Sequence, residues 1–126
     1  TLPLRIKLVN PLLGGQCYIG SSANPVVLEM TDGKTAPPAP NVPLVGRGGF
    51  VRFKDEFNLP EILGDVLVDN SFAVPRASGC GGQLSSILDP VIDARLGLPS
   101  ASGSNTIIFG DTLQEALPMF VIESEK

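Results

Sequence analysis

Glycine and proline recur every few residues along this chain, 14 and 12 of them among 126 positions. Proline fixes φ and removes a backbone donor, and glycine weakens a helix interior. Long helices are therefore not expected; short strands joined by turns are. Apolar residues make 43% of the chain but aromatic residues only 6%, so Val, Ile and Leu must build the core. Apolar runs persist from end to end, which separates this sequence from disordered Pro/Gly-rich chains. A chain of this length buries roughly two-thirds of its unfolded surface. It is read as a single β domain, residues 1–126.

Hydrophobic periodicity supplies the elements. Leu2, Leu4, Ile6 and Leu8 alternate with Pro3, Arg5 and Lys7, the period-two pattern of a half-buried strand. Asn10-Pro11 ends it. Further strands are expected over Gln16–Ile19, Val26–Met30, Gly49–Lys54, Val66–Phe72, Thr106–Phe109 and Leu117–Ile122. In Gly49–Lys54, Val51 and Phe53 alternate with Arg52 and Lys54. Pro60 leaves the preceding segment ambiguous. Asp32-Gly33 and Gly110-Asp111 read as turns. The proline-rich segment Thr35–Pro43 reads as a stiff surface connector. One short helix is expected over Pro90–Leu96, with Asp89 as N-cap, Pro90 at the first helical position and Gly97 just past the end. The sum is a mainly β chain: a β-sandwich or small barrel of seven to eight short strands with one short helix.

Charge and residue inventory exclude several chemistries. The net charge is −4, with 9 Lys+Arg against 13 Asp+Glu, and no basic cluster exceeds two residues, so nucleic acid is not an expected partner. No run approaches the ~20 apolar residues of a membrane-spanning helix. The chain has no histidine, which excludes Ser-His-Asp and Cys-His catalysis. Two scattered cysteines do not make a zinc site. Gly46-Arg47-Gly48-Gly49 lacks the Gly-Lys-Ser/Thr ending of a phosphate loop and reads as a hairpin or bulge cluster. Asp55, Glu56 and Glu61 form an acidic cluster. With one Tyr and no Trp to build a sugar platform, they read as solvated surface charge rather than a glycosidase pair. Asp65, Asp69 and Asn70 lack the spacing of a closed calcium loop. No catalytic residue, metal or cofactor is expected.

Cys17 and Cys80 are 63 positions apart, and both sit among glycines: Gly14-Gly15-Gln16-Cys17 and Gly79-Cys80-Gly81-Gly82. Glycine permits the close approach a bridge requires. The pair is expected to form one disulfide, worth about 4 kcal/mol in the chain-entropy model, and with it comes an oxidising compartment. Two buried free thiols are the alternative.

The phrases "NPLLGGQCYIGSSANP" and "DNSFAVPRASGCGG" hold those two cysteines. With the intervening and following segments, they make most of the chain resemble a group of small exported actinobacterial β-proteins of unassigned function. The resemblance implies export and supports the bridge. It implies no activity and no catalytic residues.

Two functional classes follow as expectations. The first is a secreted, non-enzymatic, self-assembling surface protein, a filament subunit joined by β-strand addition to a copy of itself. Its candidate assembly strand is the N-terminal one, with Leu2, Leu4, Ile6 and Leu8. That strand pairing within its own chain is the competing outcome. The second is a secreted module that binds a cell-wall glycan or a surface protein. Its face would comprise Tyr18, Ser21, Asn24, Ser104 and Asn105 in and beside the loops Gly20–Asn24 and Ser100–Asn105, since loops on a rigid β scaffold carry function.

Overall fold

The computed structural model describes residues 1–54 and 59–115. Among them are eight strands: β1 (Leu2–Leu4), β2 (Ile6–Lys7), β3 (Tyr18–Ile19), β4 (Val26–Leu28), β5 (Phe50–Lys54), β6 (Leu59–Asp69), β7 (Ala77–Ser78) and β8 (Ile107–Glu115). One helix, α1 (Ser85–Leu96), lies between β7 and β8. The strands form three small antiparallel sheets, β1-β4, β2-β3-β7 and β5-β6-β8. The protein is mainly β, as its punctuation requires, and none of these sheets closes into a barrel.

The N-terminal segment lies along its own chain. Leu2 opposes Leu28 and Leu4 opposes Val26 in the first sheet, whereas Ile6 opposes Ile19 in the second. One strand was expected here. The partner explains the break at Arg5: residues 17–28 leave the ladder as the loop Gly20–Pro25, so the register shifts between β3 and β4. Leu4 and Leu8 pack on the core, while Leu2 and Ile6 stay 42% exposed.

The core cluster is Cys17, Ile19, Val26, Leu28, Ala77 and Cys80, with Leu88 and Ile92 of α1 packed against it. No aromatic residue is among the buried apolar side chains of the described chain, in keeping with the aromatic-poor composition.

Three expectations change, and one ambiguity resolves. The helix begins at Ser85, and Pro90 lies inside it. Asp89 is therefore not its N-cap; its carboxylate faces the β7 turn instead. The segment around Pro60, ambiguous in the sequence, is strand: β6 runs eleven residues through it. Pro60 is the second residue of β6, paired to Phe53 of β5 and lying before the described β8 ladder begins at Glu61. Gly110-Asp111 is not a turn but an irregularity within β8, where the register against β6 shifts and Asp111 takes φ 51°. Finally, β5 is not half-buried: all five of its residues are exposed. The expected strand over Leu117–Ile122 lies outside the described residues.

β6 is the frame of the molecule. Near its C-terminal end, Val68 exchanges backbone hydrogen bonds with Thr31, and Asp69 Oδ2 accepts from the Glu29 amide at 2.7 Å. β5 pairs with the N-terminal half of β6, Leu59–Leu63, while β8 runs beside β6 from Glu61 to Asp69. The glycine cluster before β5 serves this junction. A Cβ on Gly49 would lie 2.5 Å from the Leu63 carbonyl, so only glycine lets the chain pass so close.

Candidate functional site

The disulfide forms between Cys17 and Cys80, both fully buried, with Cα atoms 4.1 Å apart. Gly79, at φ 73°, runs against the carbonyl of Gln16 so tightly that any Cβ there would collide with it. Two acids of α1 hold the same turn. Asp89 Oδ1 accepts from the Cys80 amide at 2.8 Å, and Asp93 Oδ1 accepts from the Ala77 amide at 2.8 Å. Four apart, they share one helical face, and that face docks α1 on the backbone of residues 77–80. The cysteines are structural, and so are these acids.

The two expected binding loops do meet. Asn24 and Ser21 line a groove of about 420 Å³ with Pro75, Arg76 and Pro99. Asn24, Pro25, Pro75, Pro99, Ser100 and Ala101 line an adjoining one of about 370 Å³. Asn24, Pro75 and Pro99 are common to both, so the two hollows form one open, proline-walled trough. Within the first loop, the Ser21 amide donates to the Asn24 carbonyl at 3.0 Å, and Ser21 Oγ accepts from the Asn24 amide at 3.0 Å.

Asn105 has a different role from the one expected. Its Nδ2 donates to the Phe72 carbonyl at 2.9 Å and the Ala101 carbonyl at 3.1 Å, and its Oδ1 accepts from Ser100 Oγ at 2.7 Å. Its own carbonyl accepts from Asn41 Nδ2 at 2.8 Å. A side chain so committed shapes the loop rather than greeting a ligand. Ser104 is exposed beside it, its amide bonded to the Ala101 carbonyl at 3.2 Å. Tyr18 sits on β3, not in a loop, and the Arg5 guanidinium covers its ring at 3.8 Å from the centroid.

The acidic residues are also committed. Glu61 is only 3% exposed and accepts from Arg52 Nε at 2.7 Å, so it is not the solvated charge expected of it. The reason is its register: Glu61 stands directly opposite Arg52 on one face of the sheet. Asp65 accepts from Thr112 Oγ1 and Gln114 Nε2 of β8. Asp69 Oδ1 accepts from the Ser71 amide at 2.8 Å. Asp55 and Glu56 lie outside the described residues. No group of three or more Cys, Asp or Glu among the described residues is arranged to hold a metal ion.

The surface that the sequence did not announce is the β5-β6-β8 sheet. Phe50, Leu63 and Leu113 stand in register across its three strands and so share one face. Val51 with Ile62, and Phe53 with Pro60, share the other. Phe50, Val51, Phe53 and Leu113 are each about 60% exposed. Ile108 and Phe109 extend the exposed apolar surface along β8. The one sequence signal was apolar residues at both parities of β5, which no half-buried strand needs.

Comparison with protein-family models, with curated proteins and with solved structures found no match. No helix among the described residues is long and apolar enough to cross a membrane.

Proposed function

We propose that this protein is a non-enzymatic, exported subunit that associates with copies of itself through exposed β-structure. The observation that carries this reading is the β5-β6-β8 sheet, with large apolar side chains exposed on both faces. Contiguous apolar surface of this kind on a folded domain marks a site of protein association. The formed disulfide fits an oxidising compartment, as does the resemblance to exported actinobacterial proteins.

Sedimentation across a wide concentration range tests it. Self-association predicts a weight-average mass that climbs above 13.2 kDa with concentration. A monomer at every concentration would remove the reading.

A second reading rests on the proline-walled trough. It brings both predicted loops together at Asn24, Ser100 and Ala101, as a glycan- or protein-binding module would. Binding to a cell-wall fraction, lost on Asn24→Ala with stability retained, would favour it over self-association.

A further inference from the structure

The way copies join follows from the two edges of the exposed sheet. β6 is its central strand; β5 and β8 are its edges, each paired only to β6 among the described strands. An edge strand carries a row of backbone donors and acceptors ready for another strand. The two edges differ in charge. β5, Phe-Val-Arg-Phe-Lys, contains Arg52 and Lys54 and no acid. β8, Ile-Ile-Phe-Gly-Asp-Thr-Leu-Gln-Glu, contains Asp111 and Glu115 and no base. The side chains of Arg52 and Asp111 are 60% and 85% exposed. Each already has a partner within the chain, Glu61 and Arg47 respectively, yet each still presents most of its surface outward.

The midpoints of the strands decide between symmetric and head-to-tail pairing. Arg52 is the central residue of β5, and Asp111 is the central residue of β8. Full antiparallel overlap of β5 with its own copy therefore sets Arg52 opposite Arg52. Full overlap of β8 with its copy sets Asp111 opposite Asp111. Like charges directly opposed destabilise a strand pair. Placing β5 of one copy beside β8 of another opposes unlike charges instead, and it continues the apolar rows of both faces across the seam.

We infer that the chain self-associates head to tail, the basic β5 edge of one copy adding to the acidic β8 edge of the next. This rests on the self-association reading above and specifies its geometry. Such a contact leaves one free edge of each kind at the ends, so it extends until it closes as a ring or continues as a filament.

Two charge-converted variants test it: Phe50→Glu/Val51→Glu/Phe53→Glu, whose β5 has more acids than bases, and Ile108→Lys/Phe109→Lys/Leu113→Lys, whose β8 has more bases than acids. All six side chains are at least 40% exposed, and Arg52 and Glu61 are untouched. Head-to-tail pairing predicts that each variant alone sediments as a monomer where the wild type associates. It also predicts that an equimolar mixture recovers association, because its unlike edges match. Either variant associating alone like the wild type, or a mixture that stays monomeric, would overturn the inference. A wild type that never associates would instead overturn the reading beneath it. Should a variant lose the wild-type circular dichroism, hydrogen exchange on the wild type decides. Protection must rise with concentration in both β5 and β8; a rise in one edge alone, or in neither, contradicts head-to-tail pairing.

Discussion

Asp89 of the helix accepts a hydrogen bond from the amide of Cys80, nine residues earlier, at 2.8 Å. The covalent staple and the helix are thus fastened at one residue. Cys80 reaches Cys17 through its sulfur and α1 through its nitrogen.

Asp93→Ala therefore destabilises the fold more than Asp89→Ala. Asp93 is 7% exposed and serves the buried Ala77 amide, so removal strands a buried donor, at about 1–3 kcal/mol. Asp89 is only half-buried. Asn at either position keeps an accepting oxygen and recovers part of the loss. Urea unfolding of the four variants checks the order.

Replacing both cysteines by serine removes a link across 63 positions, and stability falls by about 4 kcal/mol in the chain-entropy model. Gly79→Ala attacks the same turn with the sulfurs intact, since the added Cβ meets the Gln16 carbonyl at a positive φ. It lowers the melting temperature and speeds reduction of the bridge by dithiothreitol. Unchanged melting in either variant would contradict the role given to this turn.

Arg52→Met leaves the buried Glu61 carboxylate without its 2.7 Å partner. The cost falls below the ~3–5 kcal/mol of a fully buried pair, because Arg52 is 60% exposed and Lys54 stands 4.0 Å from the same carboxylate. Adding Glu61→Gln recovers part of it. A double-mutant cycle by denaturant unfolding measures the coupling; additive losses would sink it.

Asn105→Ala loosens the loop that walls the trough, because it removes two carbonyl contacts and one acceptor together. It lowers stability by about 1–3 kcal/mol, whereas Asn24→Ala, an exposed loop residue, changes stability by about 0.5 kcal/mol or less. Thermal unfolding of the pair separates loop architecture from surface chemistry.

These residues also show what a sequence of this kind discloses. The disulfide was legible because both cysteines sit among glycines, and the structure uses Gly79 to pass the Gln16 carbonyl. The trough was legible in part: small, polar loop residues brought Asn24 and Ser100 together, but composition could not say that Asn105 would spend its amide on carbonyls. Local rules misread Asp89-Pro90, which carry every mark of a helix start. The tertiary demand of the Cys80 amide placed them in mid-helix instead. The exposed sheet stayed hidden because alternation reports which residues share a face, not whether anything covers that face.

β6 runs unbroken from the exposed sheet, where Leu59 faces Lys54, to the body, where Asp69 holds the Glu29 amide. A pull applied at the outer end therefore reaches the body along one covalent backbone. That backbone bends once on the way, at Gly64, where φ is 73° and the register against β8 shifts, and the flanking ladders are loaded along the strand rather than peeled open one bond at a time. In mechanical terms β6 is a tie-rod with one bend, joining the exposed sheet to the segment that holds Glu29 and Thr31.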